Sequence, residues 1–316
     1  MARISIVTPA AAGSRTGNRH TAQRWARLLR TLGHRVAVGT EWDGRACELL
    51  IALHARRSHA SVARFRAAHP HTPLVVVLTG TDLYRDLPAS AEARRSLALA
   101  DRLVALQDEA RRVLPARLRG KLRVIYQSAD TPLRADPPRG RFRVLVSGHL
   151  REEKDPFRAA AALAHLRTLP RLEVIQLGAA LSEPMRAEAE DWVRREPAYR
   201  WLGARSHARA LAWLAHSHLL VVSSQMEGGA NVISEAARIG TPVLASRIAG
   251  NVGMLGRGYP GYFPFGDERA LARLIRRAAR ERAFYARLKR ALRARRGLFV
   301  PAAERRALAA LLGELL

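Results

Sequence analysis

Short runs of leucine and β-branched residues recur along this chain, with helix-length stretches between most of them, and this alternation constrains the fold more than any other feature. Residues 4–7, 35–38, 49–53, 74–78, 102–105 and 123–126 read as strands, and 17–32 as a helix stopped by Gly33. Strands separated by helices are the signature of βαβ units and a parallel sheet. The pattern breaks at 131–140, where three prolines and a glycine mark a linker. It then restarts with strands at 142–146, 172–176, 199–202, 219–222 and 242–245. Helices are expected at about 154–168, 183–195, 207–216 and 231–239, and a helical tail over 268–316 with a break near 297–301. The chain therefore reads as α/β, with two doubly wound halves at 1–130 and 141–295. A ligand is expected between them at the carboxyl ends of the strands.

A length of 316 residues suits two domains that each bury a core. Hydrophobic residues at 48% and charged residues at 26% exclude a mostly disordered chain. No apolar run approaches the ~18 residues that span a bilayer, so no membrane span is expected. Met1-Ala2-Arg3 leads directly into a strand pattern, which argues against a secretory signal. The single cysteine, Cys47, forms no internal disulfide and no cysteine zinc cluster, which suits a reducing, cytoplasmic setting.

The net charge of +27 raises nucleic acid as a partner, but the basic residues are spread over helix faces and aromatics are only 6%. With no recognition motif and no stacking series, the expectation is an arginine-biased surface and no nucleic-acid partner. Lysine occurs only at Lys121, Lys154 and Lys289. A chain that otherwise uses arginine keeps a compact ammonium at those three places.

Three loop groups carry chemistry. Ser223 to Ala236 follows an apolar strand and opens a helix. Its glycines allow close approach to the backbone, and the helix N-terminus offers free N–H groups to a phosphate. Glu227 sits in the loop and Glu235 about two turns into the helix, placed for sugar hydroxyls and a ribose diol respectively. The same spacing also describes a glycine turn capping a helix beside an incidental glutamate. A second glycine loop, Ser147 to Pro156, holds Gly148, His149, Arg151 and Lys154. Arg151 and Lys154 suit the growing charge of a leaving diphosphate, or pair with Glu152, Glu153 and Asp155 on the surface. No Asp-x-Asp pair occurs, so no magnesium-diphosphate ligand set is evident and no metal is expected.

The third group lies in the first half. The loop at 9–21 contains Arg15, Gly17, Asn18, Arg19 and His20 but matches neither a Walker loop nor G-x-G-x-x-G. With His54, Arg56, Arg57 and His59, and with Thr79-Gly80-Thr81-Asp82, it forms a candidate anion pocket at three strand ends.

Glu227 and Glu235 form the E-x7-E pattern of retaining glycosyltransferases. With the Gly148 to Lys154 loop and the two α/β halves, the chain resembles glycosyltransferase family 4. The resemblance implies the GT-B fold, two Rossmann-like domains facing across a cleft, with the last helix (296–316) packing back on the first. It also implies a metal-independent hexosyltransferase with no cofactor. In the family the first glutamate meets the donor sugar, the amides after it hold sugar and phosphate, and the second glutamate binds the ribose. These roles fall on Glu227, on Gly228, Gly229, Ala230, Asn231 and Val232, and on Glu235. Arg151 and Lys154 match the diphosphate ligands, and Gly203 lies in the loop that receives the base. The family's arginine after the loop glycine is His149 here. Several first-half segments, Gly17 to Ala22, Leu53 to Ser58 and Leu78 to Tyr84 among them, are similar to the selenosugar synthases of selenoneine biosynthesis. That likeness implies a UDP-sugar donor, UDP-glucose or UDP-N-acetylglucosamine, and selenophosphate as acceptor. Arg15, Gly17, Asn18, Arg19, His54, Arg56 and Thr81 would then be acceptor residues. Such an acceptor needs positioning more than a base, although His20 and His54 are candidate bases.

Overall fold

The computed structural model describes residues 1–13 and 17–316. The chain divides into two compact units: Met1–Ser128 with Glu227–Asn231 and Pro301–Leu316, and Ala129–Met226 with Val232–Val300.

The first unit is built on six parallel strands, β1 (Arg3–Val7), β2 (Arg35–Gly39), β3 (Leu49–Leu53), β4 (Leu74–Leu78), β5 (Arg102–Ala105) and β6 (Leu122–Val124). Their order is β2-β1-β3-β4-β5-β6, with Ile4 opposite both Val36 and Leu49, and Ile51 opposite Val75. β3 and β4 are apolar and buried at every position because helices cover both faces of the sheet. Successive side chains serve opposite faces. Leu49, Ile51, Leu53, Val75 and Val77 pack with Trp25 and Leu29 of the helix Gly17–Thr31 and with Leu308, Leu311 and Leu312 of the helix Pro301–Gly313. Leu50, Ala52, Leu74, Val76 and Leu78 pack on the other side with Val62 and Phe65 of the helix His59–Ala68. Each buried leucine, isoleucine or valine contributes about 1.5–3 kcal/mol, so this doubly covered sheet is the rigid base for its loops.

The second unit repeats the plan with β7 (Phe142–Ser147), β8 (Leu172–Leu177), β9 (Tyr199–Trp201), β10 (Leu219–Val222), β11 (Val243–Ser246) and β12 (Tyr262–Phe263). All are parallel, in the order β12-β11-β10-β7-β8-β9. The helix expected over 154–168 is instead a 3-10 turn at Glu152–Lys154, a short helix Arg158–Ala162 and a second 3-10 turn at Leu163–His165. Pro156 disfavours helical backbone at the residue before it, and Asp155 takes a left-handed φ of 44°. The tail carries an additional break at extended Glu281, between the helices Glu268–Arg280 and Arg282–Arg295. In the two sheets the direction of winding reverses at β1/β3 and at β7/β10. Crossovers there leave to opposite faces and open a crevice at the carboxyl ends. Among the described residues, no helix is long and apolar enough to cross a membrane.

Candidate functional site

In the second unit, the loops after β7, β8 and β9 stack on one another through backbone. Gly178 donates its N–H to the Gly203 carbonyl at 2.9 Å, and Leu150 donates to the Ala179 carbonyl at 2.9 Å. A Cβ on Gly178 would stand 1.9 Å from the Gly148 carbonyl oxygen, and its φ of 135° also excludes other residues. His149 accepts the Ala179 N–H on Nδ1 at 3.2 Å, so its ring braces the next loop.

Arg151 precedes the 3-10 turn and is exposed, and Lys154 ends the turn half-buried. The turn is fixed to the loop after β10 by two elements of that loop. Gln225 N–H donates to the Glu153 carbonyl at 2.9 Å, and Ser223 Oγ donates to the Lys154 and Asp155 carbonyls at 3.2 and 2.7 Å. Asp155 is held by Arg158 at 2.8 Å, which in turn reaches Glu268 at 2.7 Å. Glu235 is the fifth residue of the helix Asn231–Ile239, which has the bounds expected from the sequence. Its Oε1 lies 2.8 Å from His207 Nε2. The structure thus gathers Gly148, Arg151, Lys154, Gly203 and Glu235 at the carboxyl ends of β7 to β10.

The first unit joins its loops through side chains. Asp82 is fully buried and accepts four backbone N–H groups, from Ala55 at 3.0 Å, Thr79 and Gly80 at 2.8 Å and Leu83 at 3.1 Å. One carboxylate therefore fastens the loop after β3 to the loop after β4. His54, 2% exposed with a left-handed φ of 74°, places Nε2 3.1 Å from Thr81 Oγ1 and 3.8 Å from Asp86 Oδ2. Its Nδ1 accepts the Arg57 N–H at 3.3 Å. Burial pushes the imidazole below its usual range, with Arg57 and Arg56 adding to that and Asp82 and Asp86 opposing it. Arg56 is exposed and keeps Nε 3.0 Å from buried Asp86. His59 engages Ser96 at 2.9 Å.

The glycine segment Glu227–Asn231 belongs by its packing to this first unit. A Cβ on Gly228 would stand 2.3 Å from the Thr79 carbonyl carbon, and one on Gly229 2.6 Å from Leu106 Cβ. Packing alone thus requires glycine at both positions. Glu227 and Ala230 are buried. Gln127 Nε2 donates to the Gly229 carbonyl at 3.2 Å, while its Oε1 accepts from Thr21 Oγ1 at 2.9 Å and from Arg24. Arg24 also donates to Asn231 Oδ1 at 3.2 Å and pairs with Glu304 at 3.0 Å. Glu304, buried in the last helix, accepts further from Trp25 Nε1 at 2.8 Å and Ser128 N–H at 2.8 Å.

Gly17 begins the helix Gly17–Thr31, where a Cβ would come 3.9 Å from Asn231 Nδ2. Asn18 and Arg19 follow in its first turn, and Val232 occupies the first turn of the helix Asn231–Ile239. Arg19 lines an open groove of about 420 Å³ with Gln23, Arg27, Arg30 and Val38. Arg15 lies outside the described residues. The sequence reading passed over Asp86, Arg24, Gln127, Glu304, His207 and Gly178. Gly178 carried a signal in its place directly after a strand, and Glu304 in being a lone acid on an otherwise apolar and basic helix.

The family model for "Glycosyl transferases group 1" matches residues 133–295. No curated protein sequence matches the chain. Among solved structures, HepE from Anabaena in complex with UDP and glucose is similar over all of both chains, with a TM-score of 0.79 at 19% identity. A sucrose-phosphate synthase from Thermosynechococcus elongatus gives a TM-score of 0.80 at 17% identity, over 100% of this chain and 99% of that one. A glycosyltransferase from Rickettsia africae gives 0.72 at 13% identity, over 99% and 98%. At such identities the likeness establishes the fold, GT-B.

Proposed function

The chain belongs to the glycosyl transferases group 1 family, and from that premise we propose that it transfers the sugar of a UDP-sugar to selenophosphate, as a selenosugar synthase of selenoneine biosynthesis does. Residues 141–295 bind the donor in this reading and residues 1–130 the acceptor. The UDP and glucose held by HepE support UDP-glucose as donor, with UDP-N-acetylglucosamine as the alternative. The observation that carries the acceptor is the cluster at the ends of β3 and β4. There exposed Arg56 is steered by buried Asp86 at 3.0 Å, and Thr81 is set by His54 at 3.1 Å. A cation and a hydroxyl held this way suit a small, highly charged oxyanion better than a neutral sugar.

Selenium supplies the electron pair that forms the C–Se bond at the anomeric carbon. The bond from that carbon to UDP breaks, and its electrons stay on the β-phosphate oxygen. Arg151, Lys154 and the N-terminus of the helix Asn231–Ile239 neutralise that charge. Water then cleaves the Se–P bond, giving phosphate and the selenosugar. Glu227 orients the donor sugar, Gly228 to Val232 offer N–H groups, Glu235 takes the ribose and Gly203 borders the base. Gly17, Asn18, Arg15 and Arg19 complete the acceptor side. UDP release is measured with each donor, with and without selenophosphate, and the product is weighed. Selenophosphate-dependent release with a selenium isotope pattern on the sugar is the expected result. UDP binding without that product removes selenophosphate and keeps the glycosyltransferase.

A further inference from the structure

We infer that the acceptor enters this site already ionised, because His54 is a positioning residue that turns the Thr81 hydroxyl towards it as a donor and is itself unable to serve as a base. The inference rests on the acceptor site proposed above and gives that site a class that stands apart from selenophosphate itself: a phosphate-like oxyanion, and not a neutral hydroxyl or thiol that must lose a proton.

The geometry fixes the tautomer. Nδ1 of His54 accepts the Arg57 N–H at 3.3 Å, so the proton of the neutral ring is on Nε2. Nε2–H then donates to Thr81 Oγ1 at 3.1 Å. A hydroxyl that accepts from the imidazole keeps its own hydrogen for another partner. Thr81 is half-buried, with Gly80 on one side and the buried Asp82 on the other, so its backbone is fixed as well. To take a proton, His54 must give up the Arg57 N–H and become charged at a site 2% exposed to solvent. The charged groups facing it are Asp82 and Asp86 from the turn after β4, and Arg56 and Arg57 from its own loop, so the carboxylates are offset by two cations. The left-handed backbone at His54 is the form of local strain that persists where the surroundings hold a side chain in one orientation. Its N–H bonds to the Val77 carbonyl at 2.9 Å and its carbonyl accepts from Ser58 N–H at 3.0 Å, which supply that hold.

The test titrates orthophosphate calorimetrically in the presence of saturating UDP, so that donor-side phosphate positions are filled. Wild type, Thr81→Ser and Thr81→Val are compared, and the His54 ring is followed by nitrogen-resolved NMR from pH 6 to 8. Thr81→Val is expected to weaken phosphate binding roughly tenfold or more and Thr81→Ser to restore it to within roughly threefold, as loss and return of one hydrogen bond to an anion predict. The His54 ring is expected to stay neutral with its proton on Nε2. Binding by Thr81→Val equal to wild type, or as weak in Thr81→Ser as in Thr81→Val, overturns the inference. So does a His54 ring that titrates in that range, and so does absence of phosphate binding by the wild type. Selenophosphate-dependent UDP release is read separately on the wild type. Its failure with the phosphate pattern intact removes selenophosphate and leaves the oxyanion class standing.

Discussion

The two units differ in the means by which their loops are chiefly held. In the second, the loops of Gly148, Gly178 and Gly203 meet backbone to backbone, and a side chain at Gly178 would collide with the Gly148 carbonyl. In the first, Asp82, His54 and Asp86 join the loops by side chain, and changing one residue changes what the loops present. A backbone-built site is generic, since peptide groups are the same in every member of a fold. A side-chain-built site is where specificity is written. The loops after β7 to β9, proposed to bind the shared nucleotide sugar, are of the first kind, and the loops after β3 and β4, proposed to bind the distinguishing acceptor, are of the second.

The comparison breaks most visibly at Gly178→Ala. The new Cβ meets the Gly148 carbonyl in a backbone conformation that alanine avoids, and a loss of about 4 kcal/mol is expected in denaturant unfolding. An alanine variant as stable as wild type removes the backbone stack as a constraint. Asp82→Asn attacks the other side. The amide brings two hydrogens towards a ring of N–H donors, so a loss of about 3 kcal/mol is expected in the same measurement. Lys154→Ala tests the exception, a second-unit position where a side chain is proposed to carry the chemistry. Turnover falls by about 10²-fold with unfolding unchanged, and wild-type kinetics would exclude Lys154 from leaving-group stabilisation.

The smallest effect lies at the rim of the first unit. Glu314 is hydrogen-bonded by Arg123 and Arg102, which hold its carboxyl well below the usual range, at about 2. A folded value depressed in this way stabilises above the unfolded value of about 4.3, and the effect disappears as pH falls from about 5 towards 2. The pair is solvent-screened, so the difference in melting temperature between wild type and Glu314→Gln is small near neutrality. It should vanish in acid, and a gap that widens there reverses the sign.

Sequence made the strands and both sheets legible because β3, β4 and β10 are apolar throughout, a pattern that parallel sheets impose. Glu227, Gly228 and Glu235 were placed on their loop and helix for the same local reason, since all three lie within one short segment. What escaped is non-local. Asp86 matters because it meets His54 and Arg56 from another loop, and Gln127 because it reaches Gly229 across a hundred residues of sequence. β12 escaped because two residues show no period, and the expected 154–168 helix failed at Pro156, a local signal given too little weight.

The acid of the last helix has a consequence for synthesis. Arg24 and Gln127 fix the Gly229 peptide, and Glu304 fixes Arg24, while Leu308, Leu311 and Leu312 close one face of the first sheet. During translation at ~5–20 residues per second, residues 129–300 leave the ribosome in roughly ten to thirty-five seconds before that helix follows. For that interval one face of the first sheet is covered by the helix Gly17–Thr31 alone and Arg24 lacks its carboxylate, although the unit's own strands were made first. The chain's earliest-made half is thus its last to be completed.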